Sequence, residues 1–427
     1  MSQKKEIQRC ILIPVTVYVL LLCLFLPFSC TGKKRLKTGK EIVIAVRGGN
    51  EHYVQQKRIV EMFEKDNPGI RVTIAQFPNW NDYIGPLLTK IVGNMQIDIF
   101  VLSGQTEIMN FAQKGVIMDL SGENDEMKDL IYSQLWEQAT VGGRLYAFPA
   151  WVNPVIMFYN TKLFGEAGLP CPDENMDMDR FYTAARKLTD KSKGRYGCML
   201  HTSYGWIDYV LQQYGLQSVD YTVKKALLSS ERYFKIIRDY IEMFSVFYAA
   251  PRTDEFMQIG KNEFFFLGKA AMLFAGPYFF SDLQKQEGLE WDISYYPKGS
   301  KRLVNLNSAF WAINAKTAYR NEAIRYIKYL DSKKIQNMMG KVNADMSALI
   351  ELNEEKISVL KTPPAKNLLL NYFKYEKYNP VMIYNFNAYN PRITDLLSLM
   401  SMGQLAVNEG CRKINTILTE AIQNEQQ

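Results

Sequence analysis

Histidine is nearly absent from this 427-residue chain, which has only His52 and His201. Two imidazoles so far apart argue against a metal centre, and no H-E-x-x-H helix exists to build one. No G-x-S-x-G nucleophile turn and no P-loop occurs either, so common hydrolase and nucleotide-binding signatures are missing. Cysteine is scarce beyond residue 30, where only Cys171, Cys198 and Cys411 remain. An odd set without C-x-x-C spacing supports neither a disulfide scaffold nor a zinc ribbon, although one disulfide among the three stays open. Internal repeats are lacking, and low complexity is confined to a short basic segment near the N-terminus. The apolar stretch from Ile11 to Leu26 is 16 residues long and broken by Pro14, short of the roughly 20 residues that span a bilayer.

What surrounds that stretch gives it a meaning. Lys4, Lys5 and Arg9 precede it and Ser29-Cys30 follows, the layout of an export signal whose residues 1–29 are removed. The segment Leu26-Pro27-Phe28-Ser29-Cys30 resembles a lipobox, with Pro27 where an aliphatic residue is usual. Cys30 is therefore the expected lipidation site, its thiol taking a diacylglyceryl group; an unmodified signal or anchor helix is the alternative. Thr31 to Lys40 holds five Lys or Arg and one large core former, Leu36. Residues 30–40 thus read as a solvated tether at an anionic lipid surface, facing the periplasm or the cell exterior.

The roughly 400 residues that remain exceed what one hydrophobic core usually holds, and a 47% hydrophobic composition suffices for two. Without the signal, 48 basic face 43 acidic side chains. That small excess lies largely in the tether and gives no argument for nucleic acid.

Strand and helix patterns alternate along the chain. Glu41 to Val46 reads as a strand, followed by the turn Arg47-Gly48-Gly49-Asn50 and a helix that gathers Ile59, Val60, Met62 and Phe63 until Asn67-Pro68-Gly69 stops it. Ile70 to Phe77 is a second strand, Tyr83 to Val92 a helix, and Ile97 to Leu102 a buried parallel strand ending at Ser103-Gly104. This alternation predicts an α/β chain with doubly wound sheets, and ligands gather beyond the carboxyl ends of such strands. Further helices are predicted over 179–188, 230–247, 321–330 and 405–422, and strands over 155–159, 271–274 and 310–313.

Four stretches, in order, are similar to the extracellular solute-binding proteins that include the maltose and multiple-sugar binders of family 1. They are Phe63-Glu64-Lys65-Asp66-Asn67-Pro68-Gly69 with Lys114-Gly115-Val116; Leu145-Tyr146-Ala147-Phe148-Pro149 with Phe158-Tyr159-Asn160-Thr161-Lys162; Phe266-Leu267-Gly268-Lys269-Ala270-Ala271-Met272 leading to Gly276-Pro277-Tyr278; and Tyr296-Pro297-Lys298-Gly299 with Ala312-Ile313-Asn314. The resemblance implies a two-lobe periplasmic binding protein fold whose hinge is crossed three times. Lobe 1 would comprise 41–151 and 305–350, and lobe 2 would comprise 152–304 and 351–427. It further implies capture of a small polar solute, a sugar or oligosaccharide, by lobe closure and delivery to the permease of an ABC importer. The protein is expected as a lipid-anchored monomer without catalysis, metal or cofactor. Asn307-Ser308-Ala309-Phe310 replaces a more glycine-rich turn and puts bulk where relatives keep space.

A sugar presents an apolar face and an edge of hydroxyls, so its site needs flat aromatic walls and two-headed polar groups. Tyr278 matches the family's stacking residue in the Gly-Pro-aromatic turn; a core tyrosine is the bland alternative. Trp151 and Asn153 flank the first crossing, where Asn153 either contacts ligand or caps the hinge backbone. Tyr204 and Trp206 fall where relatives have aromatic platforms, with burial in the core as the alternative. Asn50, Ser103, Gln105 and Asn307 are placed by strand ends or matching position. Trp80 and Trp311 are expected to pack. These candidates are mostly neutral, which favours an uncharged ligand. The tandem Tyr295-Tyr296 could serve as paired phenolate ligands of ferric iron, but it precedes Pro297-Lys298-Gly299 and reads as a strand toward the hinge. The rivals are a lipid-anchored glycosidase, which would need two carboxylates roughly 5 to 10 Å apart, and a sensing or adhesion protein without a transporter.

Overall fold

The computed structural model describes residues 39–78, 82–343, 345–383 and 386–424. The signal, Cys30, nearly all of the tether and Trp80 lie outside the described residues. The chain divides into two units, Met1–Gly39 and Lys40–Gln427, and everything below belongs to the second.

In chain order the framework is β1 (Lys40–Arg47), α1 (Asn50–Asp66), β2 (Ile70–Phe77), α2 (Ile84–Val92), β3 (Ile99–Ser103), α3 (Gly104–Gln113), β4 (Ala147–Pro154), β5 (Ile156–Asn160), β6 (Met272–Ala275), β7 (Trp291–Ser294), β8 (Leu306–Ile313) and the short β9 (Met346–Ser347). One sheet has the order β9-β4-β8-β3-β1-β2. β1 runs parallel to β2 in register from Lys40 opposite Ile70 to Arg47 opposite Phe77, and parallel to β3. These three strands and the helices between them form the parallel part expected from the alternation. β8 lies antiparallel between β3 and β4, because the chain enters it on its way back from the second sheet.

β4 continues through Val155 into β5, the centre of an antiparallel sheet ordered β6-β5-β7. Side chains alternate across such a strand. Ile156 and Phe158 join one core with the six-stranded sheet. Met157 and Tyr159 join a second core, built from helices at 178–188, 204–213, 231–245, 390–401 and 407–423. Helix Met178–Leu188 starts where Asp177 accepts a hydrogen bond from the Arg180 amide at 2.8 Å, a side-chain cap.

Two strands pass between the sheets side by side, joined where the Val155 amide donates to the Asn305 carbonyl at 2.8 Å. The expected third crossing at Glu351 falls inside helix Ile350–Val359. That helix stays with the six-stranded sheet: Leu352 and Ile357 are in its core, and Asn353 Nδ2 donates to the Ser347 carbonyl at 2.8 Å. The chain reaches the second sheet through 360–367, after which the Tyr372 hydroxyl accepts from the Tyr296 amide at 3.0 Å. All three cysteines are free, Cys171 exposed and Cys198 and Cys411 buried, so no disulfide joins them.

Candidate functional site

A cavity of about 740 Å³ opens where the two sheets meet. Its first wall comes from the carboxyl ends of β1 and β3, where the chain must turn sharply into helices. Gly48 (φ 121°) and Gly104 (φ 66°) hold left-handed backbone there, a conformation that glycine adopts without penalty. These turns bring Arg47, Glu51 and His52 to the cavity from one strand end, and Ser103 and Gly104 from the other. Trp151 and Asn153 reach it from β4, and Asn307, which pairs with Asn153 in register, from β8. Trp151 stands edge-on to the buried Trp311 at 5.9 Å between ring centroids, so Trp311 packs as expected.

The second wall is the turn after β6. Tyr278 sits in the 3₁₀ turn Pro277–Phe279 and is 37% exposed, while Pro277 and Phe279 are buried. A tyrosine turned outward at a cavity wall is a flat apolar face with a polar tip. Gly276 makes room for it: a Cβ at that position would lie 2.7 Å from Tyr278 Cε1 and 2.8 Å from Asn153 Cβ. Ser281, Asp282 and Lys285 follow one turn on, the last two 3.3 Å apart.

Asn153 and Asp345 stand together on the first wall. Asn153 is 3% exposed; its Nδ2 donates to Asp345 Oδ1 at 2.7 Å, and its Oδ1 accepts from the Met346 amide at 3.3 Å. Burial pushes the Asp345 carboxyl up to about 6, against the Asn153 hydrogen bond and the charge of Lys356. Lys356 Nζ donates to the carbonyls of Gly340 and Asp345 at 3.2 and 2.9 Å, and burial lowers its pKa. Burial raises the Tyr278 phenol, lowers the His52 imidazole, and lowers Arg47 against the opposing charge of Glu107.

Five sequence candidates, Tyr278, Trp151, Asn153, Ser103 and Asn307, therefore line one cavity. Asn50 and Gln105 open α1 and α3 beside it without lining it. Tyr204 and Trp206 lie elsewhere. Tyr204 is 2% exposed beneath Phe386, and Trp206 is stacked between His201 at 5.0 Å and Tyr296 at 5.8 Å. Their helix turns both rings toward the second core, which outbids the cavity for aromatic area. Tyr296 is 1% exposed and Tyr295 stacks on Tyr372, so the tandem pair is packing. The cavity is also more charged than expected: Glu51, Asp282 and Asp345 face Arg47 and Lys285. Glu51 and His52 follow the Gly48-Gly49 turn, and Asp282 and Lys285 follow the Gly-Pro-Tyr turn, so each pair was within reach of sequence reasoning. Asp345 sits in a loop before a two-residue strand and carries no local signal.

A family profile described as bacterial extracellular solute-binding protein matches residues 58–354. A putative binding protein of Brucella abortus (strain 2308) is 23% identical over 249 residues, covering 57% of this chain and 59% of its own length. The mannitol-binding protein of Pseudomonas aeruginosa is 26% identical over 181 residues, 42% of this chain and 41% of that one. The chain thus spans less than two thirds of the length of these curated relatives. Among solved structures, the ABC substrate-binding protein of Listeria monocytogenes in complex with cycloalternan superposes with a TM-score of 0.80 at 18% identity. It covers 91% of this chain and 99% of its own, and the likeness establishes the two-lobe fold.

Proposed function

The chain belongs to the bacterial extracellular solute-binding proteins, and on that premise we propose that it captures a sugar, oligosaccharide or sugar alcohol between its lobes for an ABC importer. One observation carries the reading: the exposed Tyr278 ring stands across Gly276 from the hydrogen-bonded Asn153–Asp345 pair. A flat ring suits the C–H face of a sugar, while an amide that donates and accepts beside a carboxylate suits its hydroxyls. The cavity's volume falls within the usual range for small-molecule sites, roughly 300 to 1,000 Å³. The mannitol-binding relative supports the inclusion of sugar alcohols.

The mechanism is closure. Tyr278, Ser281 and Lys285 belong to the second lobe, and Arg47, Ser103 and Trp151 to the first, so a ligand touching both favours the closed state by its extra contacts. The lobes so defined are 40–154 with 306–359, and 156–304 with 368–424. The closed shape is what a permease would read. Export, the Cys30 anchor and a monomeric state complete the proposal.

Thermal-shift screening of the purified protein against mono- and disaccharides, sugar alcohols and polyamines tests it, because a ligand that binds only the folded state raises its melting point. A saturable shift with a sugar or sugar alcohol is the expected result. Release of reducing ends from a glycan would instead make Glu51, Asp282 or Asp345 catalytic and overturn the binding-protein reading.

A further inference from the structure

The mostly neutral candidates of the sequence point to an uncharged solute, but the charges that line the cleft point elsewhere. Arg47, Glu51, Asp282, Lys285 and Asp345 all reach the cavity, and three of them already face an opposite charge. Lys285 pairs with Asp282 at 3.3 Å. Arg47 lies over the Tyr83 ring at 5.2 Å and feels the charge of Glu107, whose Oε2 accepts from the Ser103 amide at 2.6 Å. Burial lowers the His52 imidazole, which is therefore uncharged near neutral pH. Glu51 and Asp345 remain, and among the described residues neither forms an ion pair. Glu51 sits in the first turn of α1, whose N-terminal amides offset part of its charge.

Asp345 has no such relief. Its Oδ1 takes the Asn153 amide at 2.7 Å, and its Oδ2 meets no donor among the described residues. Lys356 is near, but its Nζ donates to the carbonyls of Gly340 and Asp345 at 3.2 and 2.9 Å and makes no ion pair with the carboxylate. The Tyr278 phenol stands close enough to feel the charge of that carboxylate, so an acid and an aromatic ring address the same space from the two lobes. Closure takes water away from both. A hydroxyl then gives the carboxylate a donor but leaves its charge uncompensated, whereas an ammonium supplies donors and neutralises it. A cation is also attracted by the face of the ring.

We propose that the solute held in the cleft is an amino sugar whose protonated amine pairs with Asp345 beside the Tyr278 ring. The proposal rests on the reading of the cleft as a sugar site and narrows it. Asn153 and Asn307 are left for the hydroxyls, and Glu51 adds to the negative potential that draws the ligand in.

Titration calorimetry of the purified protein with D-glucosamine, D-galactosamine and the β-1,4-linked disaccharide of glucosamine tests it. D-glucose, D-galactose, cellobiose and N-acetyl-D-glucosamine are the uncharged controls, and spermidine is the amine without a sugar. At least one amino sugar should bind roughly tenfold or more tightly than its uncharged counterpart. Asp345→Asn should erase that preference; if the variant does not fold, Glu51→Gln should still weaken amino-sugar binding several-fold. Affinity for the amino sugar should also fall several-fold between pH 7 and pH 5, as Asp345, at about 6 in the folded protein, takes up its proton. The groups facing that carboxyl are Asn153 from β4, Lys356 from helix Ile350–Val359 and Tyr278 from the other lobe. Uncharged sugars bound as tightly as their amino counterparts, or a preference that survives both substitutions, overturns the inference and leaves the sugar site standing. Binding of spermidine without any sugar overturns the sugar site as well, and absence of binding by every probe overturns the inference.

Discussion

Asn153 donates to Asp345 at 2.7 Å on the first-lobe side of the cleft, tying the strand that leaves the first sheet to the residue just before β9. This bond fixes a carboxylate at a place where burial disfavours its charge. The site therefore stores an electrostatic cost that a ligand's hydroxyl donors can relieve.

Asp345→Asn should stabilise the free protein and weaken ligand binding. The folded pKa of about 6 lies above the ordinary value of about 3.9. The folded state thus holds its proton longer, and stability falls as pH rises from about 4 through 6. Lys356 and Tyr278 are the titratable groups facing this carboxyl, and Lys356 keeps its backbone partners in the variant. Urea denaturation at pH 4 and pH 7 should show a gain for the variant of up to about 2–3 kcal/mol at pH 7 and almost none at pH 4. A pH-independent difference would sink the assignment.

Tyr278→Ala should abolish most of the ligand-induced rise in melting temperature, while Tyr278→Phe keeps most of it, because the ring supplies the stacking face. At a ligand concentration a hundred times Kd the parent gains about 2.7 kcal/mol. An unchanged shift in the alanine variant would remove Tyr278 from the site.

These residues show which parts of the molecule could be read in advance. The strands were visible because Ile42, Ile44 and Val46 alternate in β1 and Ile99 to Leu102 are continuously apolar in β3, and both patterns reflect local burial. Tyr278 was visible because a Gly-Pro-aromatic turn is a local motif. Trp206 was misplaced because its sequence says only that it is aromatic at a helix start; the ring that receives it, Tyr296, lies 90 positions away. Asp345 was hidden for the same reason, since its partner Asn153 is 192 positions away. Contacts of that separation are set by packing, which a periodicity cannot show.

Gly276→Ala should leave the fold intact and impair binding. Its Cβ would press on the Tyr278 ring and on Asn153 Cβ, both inside 3 Å, and relief requires the ring to swing toward the cleft. Overpacking of this kind costs roughly 1–3 kcal/mol. Titration with the ligand found by screening should show weaker affinity, and a crystal structure should show a rotated ring. Unchanged affinity would mean that Tyr278's placement does not matter.

Tyr378→Phe tests the second core independently of the cleft. Asp208 is fully buried there, held by Ser218, by Gln212 at 2.9 Å and by the Tyr378 hydroxyl at 2.8 Å. Burial raises its carboxyl to about 6 while all three hydrogen bonds pull it down, so the bonds stabilise the charged form. Removing one should cost about 1.5–3 kcal/mol where Asp208 is ionised, above pH 6. The cost should shrink below pH 4, where folded and unfolded chains both carry the proton. Asp208 does not line the cleft, so ligand affinity should stay within about twofold of the parent. A cost that is the same at pH 4 and pH 8 would show that the Tyr378 hydroxyl acts through the Gly205 carbonyl, 3.2 Å away, rather than through Asp208.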